Sequence, residues 1–228
     1  MTEAEWIAFF RRPEIPAFNA AMLEHPEADL PRLVFADWVE ENCPNAAFVA
    51  ALRRSIANPE TPEWVPNFSM VIRGHELRLW RGRLEVGIDF GDREFDAEPD
   101  AFVKAAWDSE WVGRLKLRGV SEETHQFWFA LRRRIAGIEF IDLFDAQVRL
   151  FDLWLATAAS ELTHLTTLDL RLNSLTDSDT HRLAESTVLG SLKCLLITDC
   201  YLSDSRRRFL AESRTLPEHI RAQFRRPT

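Results

Sequence analysis

The chain has 228 residues, a net charge of −8 and a pI near 5.3, with 46% hydrophobic and 28% charged residues. That balance marks a globular chain and excludes a disordered one, and its acidity argues against nucleic acid or an anionic membrane as partner. No apolar run approaches the length of a membrane span, and the start, MTEAEWIAFF, has acid where a signal peptide has Lys or Arg.

Eight Trp and sixteen Phe supply enough apolar surface for a core without staples. The only cysteines are Cys43, Cys194 and Cys200. Scattered in this way they are expected as reduced thiols of a cytoplasmic protein.

Residues 1–62 are expected to form a helical module. Thr2 with Glu5 makes a capping-box pattern ahead of Trp6, Phe9 and Phe10. Pro13 imposes a turn, and a second helix is expected from about Pro16 to His25, carrying Phe18, Ala21 and Met22. Asp29 and Pro31 suit the start of a third helix, and Cys43-Pro44-Asn45 its end, with Val34/Trp38 and Phe35/Val39 as apolar pairs. A fourth helix runs from about Asn45 to Ala57 through Phe48, Val49 and Leu52.

The proline-rich NPETPEWVPN, residues 58–67, is the expected linker, with the domain boundary between residues 62 and 63. LRLWRGRLEVGIDF, residues 77–90, alternates in its second half as a strand does.

The remainder, residues 63–228, is organised by a repeat. LTTLDLRLNSL places Leu165, Leu168, Leu170, Asn173 and Leu175 in a frame. A step of 27 residues forward meets Leu192, Leu195, Ile197, Cys200 and Leu202; the same step back meets Ile138, Ile141, Leu143, Ala146 and Val148. A step of 26 residues from there reaches Val112, Leu115, Leu117 and Val120, and a degenerate first copy takes in Val86, Ile88 and Phe90. This is the leucine-rich-repeat pattern L-x-x-L-x-L-x-x-N/C-x-L, whose L-x-L centre is a short strand and whose Asn or Cys bonds backbone groups at the following turn.

The segments SEETHQFWFALRRRI, RLFDLWLATAASE, TDSDTHRLAES and SDSRRRFLAES have helical spacing, with Ser121, Asp177 and Ser203 as candidate N-caps. A 27-residue period leaves room for a helix and suits the ribonuclease-inhibitor-like subtype. The Arg-rich tail is expected to supply the last repeat helix and then a cap on the open end.

PRLVFADWVEE, residues 31–41, within FNAAMLEHPEADLPRLVFADWVEENCPNAAFVAAL, resembles the bacterial repeat-companion domain. The resemblance implies a short helical module preceding leucine-rich repeats. Where the family has Glu, Arg and Gln in A-E-F-I-R-x-Q, this chain has Ala47, Ala50 and Leu52. The resemblance implies architecture and no activity.

The expected fold is therefore α/β: a short leucine-rich-repeat solenoid, with strands on the concave side and helices on the convex side, behind an all-helical module. Chemical motifs are few. HELRL has Leu79 where a zinc protease needs its second His. In DSDTH, Asp177, Asp179 and His181 sit where a repeat helix begins. Cys194 and Cys200 are not expected to pair, and the chain has no G-x-S-x-G, P-loop or dinucleotide fingerprint. No catalytic residue, metal site or cofactor is expected.

Asp37 is expected in an ion pair with Arg32 or Arg53; the alternative is an enzyme or effector site around it, where the helical module meets the sheet. The main functional expectation is non-catalytic binding of a protein partner, through the helices or through the concave strand positions. Those positions are Arg114, Lys116 and Arg118; Phe140, Asp142, Phe144 and Asp145; Thr167, Asp169, Arg171 and Leu172; and Cys194, Leu196, Thr198 and Asp199. Phe140, Phe144 and Leu196 form an apolar line of the kind that marks an interface.

Overall fold

A computed structural model describes residues 1–60, 63–64, 75–89, 101–118, 137–146 and 162–225. The chain is α/β and divides into two compact units, Met1–Ile88 with Glu98–Leu115, and Asp89–Ala97 with Lys116–Thr228. No helix among the described residues is long and apolar enough to cross a membrane.

The first unit opens with α1 (Glu3–Phe10), α2 (Glu14–Glu24), α3 (Leu30–Asn42) and α4 (Ala46–Ala57). The Thr2 capping box forms as expected: Glu5 N–H donates to Thr2 Oγ1 at 3.3 Å, and Thr2 N–H donates to Glu5 Oε2 at 2.5 Å. Helix α2 starts two residues ahead of Pro16, because a proline is tolerated in a first turn. Asn45 caps α4 by accepting from Phe48 N–H at 3.1 Å.

Helix α3 starts after Asp29 with Pro31 in its first turn and ends at Cys43 as expected, but its buried face departs from expectation. Asp29 makes no side-chain cap bond. The buried stripe is Arg32, Phe35, Ala36 and Val39, while Val34 lies 48% exposed. Arg32 joins the apolar stripe because its guanidinium finds backbone acceptors: Ala28 O at 2.5 Å, Pro26 O at 2.9 Å and Arg81 O at 2.9 Å. A planar fork of N–H donors can bridge several carbonyls at once.

The second half of residues 77–90 is a strand as expected, β3 (Arg83–Asp89), and it forms a hairpin with β2 (His75–Trp80), paired antiparallel from Trp80↔Arg83 outward. Arg81 and Gly82 form the turn with φ of 48° and 75°, the left-handed pair that a two-residue hairpin needs. A Cβ on Gly82 would stand 3.1 Å from Ile56 Cγ1 and 3.3 Å from Arg32 Cβ. Val86 and Ile88 are buried as expected, but on a strand that pairs antiparallel with β2. Within the expected linker, β1 (Glu63–Trp64) pairs with Leu79 and Arg78 of β2.

Helix α5 (Ala101–Asp108) packs on α1 and leads to β4 (Val112–Arg118), whose first residues complete this unit. The aromatic core centres on Trp111, with ring centroids of Phe35, Phe48, Phe10 and Phe9 at 5.0, 5.9, 6.0 and 6.4 Å. Trp111 Nε1–H donates to Gly82 O at 2.9 Å, so the buried indole is satisfied by the hairpin turn.

The second unit takes the end of β4, then β5 (Phe140–Asp142), β6 (Thr167–Asp169) and β7 (Cys194–Leu196). The last three strands are parallel, and their register joins residues 27 apart: Phe140↔Thr167↔Cys194, Ile141↔Leu168↔Leu195. The apolar frame is buried at Ile138, Ile141, Leu143 and Ala146, at Leu165, Leu168, Leu170 and Leu175, and at Leu192, Leu195, Ile197 and Cys200. Leu202 is half-buried, and Val120, Val148 and Phe90 lie outside the described residues.

The turn after each strand repeats as well. Asp145, Leu172 and Asp199, again 27 apart, have φ of 51°, 58° and 63°. At the next position Asn173 Nδ2 donates to Leu143 O at 2.7 Å and Leu170 O at 2.8 Å, and Cys200 Sγ donates to Leu170 O at 2.9 Å.

Helices α6 (Asp177–Glu185), α7 (Asp204–Ala211) and α8 (Glu218–Ala222) follow, with a 3-10 turn at Thr187–Ser191. Ser203 caps α7 as expected. The cap of α6 is Thr176, not Asp177: Asp179 N–H reaches Thr176 Oγ1 at 3.2 Å, and the Asp179 carboxylate accepts from Thr176 N–H at 2.6 Å. Asp177 is one residue too late to take that bond and pairs with Arg206 instead. Ser121 and the helices expected over 121–135 and 149–161 lie outside the described residues. The tail docks through buried Leu216, Ile220 and Phe224, with Arg221 Nη1 donating to Ser213 O at 3.0 Å.

Candidate functional site

The period-two geometry of a strand turns Ile141, Leu168 and Leu195 into the core and sends their neighbours to the opposite face. On that face of the second unit lie Lys116, Arg118, Phe140, Phe144, Thr167, Arg171, Cys194 and Leu196, all half-buried, with Leu172 and Thr198 exposed. Arg114 alternates with the buried Leu115 in the same way as Lys116 and Arg118. It belongs to the first unit, where Nε lies 2.8 Å from Glu85 Oε2 and the guanidinium stands 5.9 Å from the centre of the Trp80 ring.

Asp142 and Asp169, expected among the partner-facing residues, are buried, at 7% and 3% exposure. Each uses Oδ1 to accept the N–H two residues on: Phe144 N–H at 3.0 Å and Arg171 N–H at 3.1 Å. A short carboxylate can close such a local turn, which holds it close to the backbone. Their other partners are arginines. Arg118 Nη1 lies 3.1 Å from Asp142 Oδ1, and Arg171 makes a two-pronged contact with Asp169, Nη2 to Oδ2 at 2.7 Å and Nε to Oδ1 at 3.0 Å.

These arginines grip an aromatic ring. The Arg118 and Arg171 guanidinium carbons stand 5.5 and 5.3 Å from the centre of the Phe144 ring. Each such contact is worth about 0.5–1 kcal/mol where solvent reaches it. The Asp169 carboxylate holds the Arg171 guanidinium above its ordinary range, so it stays charged at any physiological pH. Cys194 beside it is pushed up, first by burial and then by the Asp169 charge, so it is a neutral thiol at pH 7. The face is thus an ordered set of aromatic, guanidinium and aliphatic groups around fixed carboxylates.

The other residues weighed from the sequence lie apart from this face. Asp37 is on the surface of α3, its side chain 65% exposed, and pairs with Arg53 at 2.7 Å. Arg53 also reaches Glu40 at 2.6 Å. Arg53, not Arg32, is therefore its partner, because Arg32 is turned inward to the carbonyls of residues 26, 28 and 81. His75 stands in β2, an extended strand that does not repeat at helical spacing. His181 on α6 meets Glu185 at 3.2 Å and the edge of Phe209. The three cysteines are free thiols. Among the described residues no three His, Cys, Asp or Glu side chains form a group able to hold a metal ion.

No family model, curated relative or solved structure matches the chain.

Proposed function

We propose that this chain is a non-catalytic interaction protein of a bacterial cytoplasm: a short solenoid of ribonuclease-inhibitor-like leucine-rich repeats behind a helical repeat-companion module. It binds a protein partner through the concave strand face. The 27-residue register of β5, β6 and β7, the repeated left-handed turns and the bonds of Asn173 and Cys200 support the repeat reading. The resemblance of PRLVFADWVEE supports the companion reading, and the buried Arg32 gives the motif's arginine a structural role.

The observation that carries the binding reading is the Phe144 ring held between Arg118 and Arg171 on the strand face. Aromatic and arginine side chains dominate interface hot spots, and side chains already held in place lose little entropy on binding. The bound segment has apolar residues for Phe140, Phe144 and Leu196 and a polar rim for Thr167 and Thr198.

Affinity capture from the native host, with bound proteins identified by mass spectrometry, tests this. The double variant Phe140→Glu, Phe144→Glu keeps the fold, since Glu at position 144 would face two guanidinium groups, and it loses the captured partner. Equal recovery of the same partner by both proteins defeats the strand-face reading.

A further inference from the structure

The ladder of backbone bonds between the parallel strands repeats unit by unit and then stops. Thr166 and Thr167 N–H donate to Glu139 O, and one unit later Lys193 and Cys194 N–H donate to Thr166 O. At the other strand end Leu143 N–H donates to Asp169 O at 2.8 Å, and Leu170 N–H donates to Leu196 O at 2.8 Å. The third members of these two series are Lys193 O and Ile197 N–H, on the free side of β7. Lys193 O is met by the His219 imidazole at 3.0 Å. Ile197 N–H has no backbone acceptor among the described residues.

A buried N–H of this kind is nearly always paired in native proteins. The third unit also lacks the local lock of the other two, since Leu196 stands where Asp142 and Asp169 tie down the strand end.

A cavity of about 500 Å³ opens where the acceptor strand would lie. Leu202, Phe224 and Ile197 contribute its apolar lining, with Tyr201, Arg207 and Asp199 as polar members. Tyr201 is the only tyrosine of the chain; it is 89% exposed and has φ of 47°. Arg207, an exposed residue, is the cation among the lining residues.

We infer that this edge is a second binding site, for an extended peptide segment of a partner that adds beside β7 as its next parallel strand. The occupant is an extended chain because Ile197 N–H continues the series of Leu143 and Leu170 N–H, each of which meets a carbonyl of the next strand end. A carbonyl of the segment accepts from Ile197 N–H. An apolar side chain fills the cavity against Leu202 and Phe224, and a neighbouring carboxylate meets Arg207. Main-chain bonds supply affinity in such strand addition, and the side-chain pocket supplies selectivity. The cavity shares Leu196 and Thr198 with the strand face, while the open Ile197 N–H lies on the free edge of β7.

A displayed library of short random peptides, panned against the full chain, tests this, followed by amide hydrogen exchange with a selected peptide. The expected result is a consensus of an aliphatic residue near Asp or Glu, with exchange at Ile197 slowed at least about tenfold by the peptide. Arg207→Glu and Tyr201→Ala alter exposed side chains, so the fold survives, and each weakens the peptide at least about tenfold. The inference is overturned if no peptide is selected, or if selected peptides leave the Ile197 amide unprotected. It is equally overturned if that amide becomes protected with rising protein concentration alone, which marks a second copy of the chain on the edge.

Discussion

Asn173 tests whether the turn after each parallel strand is held by the side chain that the repeat places there. Its Nδ2 donates to Leu143 O at 2.7 Å, Leu170 O at 2.8 Å and Arg171 O at 3.2 Å, within a residue only 2% exposed. Each carbonyl keeps another donor when the amide is removed. Ala146 N–H serves Leu143 O at 3.2 Å, Asp145 N–H serves Arg171 O at 3.0 Å, and Cys200 Sγ serves Leu170 O. Asn173→Ala therefore loses bonds without orphaning acceptors, and at about 1 kcal/mol per bond the cost is about 2–3 kcal/mol.

Asn173→Asp points a carboxylate at three carbonyl oxygens and costs more, about 4 kcal/mol or above. Asn173→Cys keeps the bond to Leu143 O, as Cys200 does one unit later to Leu170 O, and recovers about 1 kcal/mol relative to Ala. Urea unfolding followed by far-UV circular dichroism reads these as shifts in midpoint at constant slope. An Ala variant within about 0.5 kcal/mol of the parent, or a Cys variant no better than Ala, refutes the account.

Arg32→Lys replaces a fork that bridges Ala28 O, Pro26 O and Arg81 O by one ammonium that cannot reach all three. A loss of about 2–3 kcal/mol is expected in the same assay, and an unchanged midpoint removes the bridging role. Leu172 holds φ of 58° with its side chain 45% exposed, so Leu172→Asn is expected to stabilise by up to about 1 kcal/mol; a lower melting temperature contradicts this. Burial pushes the thiols of Cys43, Cys194 and Cys200 up, so alkylation by iodoacetamide is slow at pH 7 and accelerates only above the ordinary thiol range; rapid labelling at neutral pH rejects it. Because these folded-state values are raised, their contribution to stability is whole below about pH 8.5 and is lost as pH rises through the higher folded values.

The helices of residues 1–60 were legible because their signals are local. A capping box, the prolines and one Asn cap act within a turn of the residues that display them. The buried face of α3 was not legible. Val34 is as apolar as Phe35, and only the neighbouring elements decide which of them is covered. Arg32 was hidden for the same reason: its acceptors include a carbonyl 49 residues away, in a turn that exists only once β2 and β3 have paired.

The strand face divides in the same way. Which residues face inward was readable from the frame, since the side-chain period of a strand is two and the frame recurs every 27 residues. The burial of Asp142 and Asp169 was not, although each accepts from an N–H only two residues on, because the frame does not say whether a carboxylate turns back to the backbone or out to solvent. The signal for the end cavity was weak: Tyr201, the lone tyrosine, stands next to the third Asn-equivalent, Cys200.

What the sequence by itself determined is the local and periodic part of this protein: the helices of residues 1–60, the in-facing residues of β5, β6 and β7, and the turn residue at Asn173 and Cys200. Periodicity and capping are set by the backbone's own geometry, which every copy of a motif shares. What only the tertiary structure decided is the company each polar side chain keeps. Arg32 turned inward, Asp37 met Arg53, Phe144 was gripped between Arg118 and Arg171, and Ile197 N–H was left without a backbone acceptor among the described residues. Those outcomes depend on distances between residues remote in the chain, and such distances are fixed only when the elements pack.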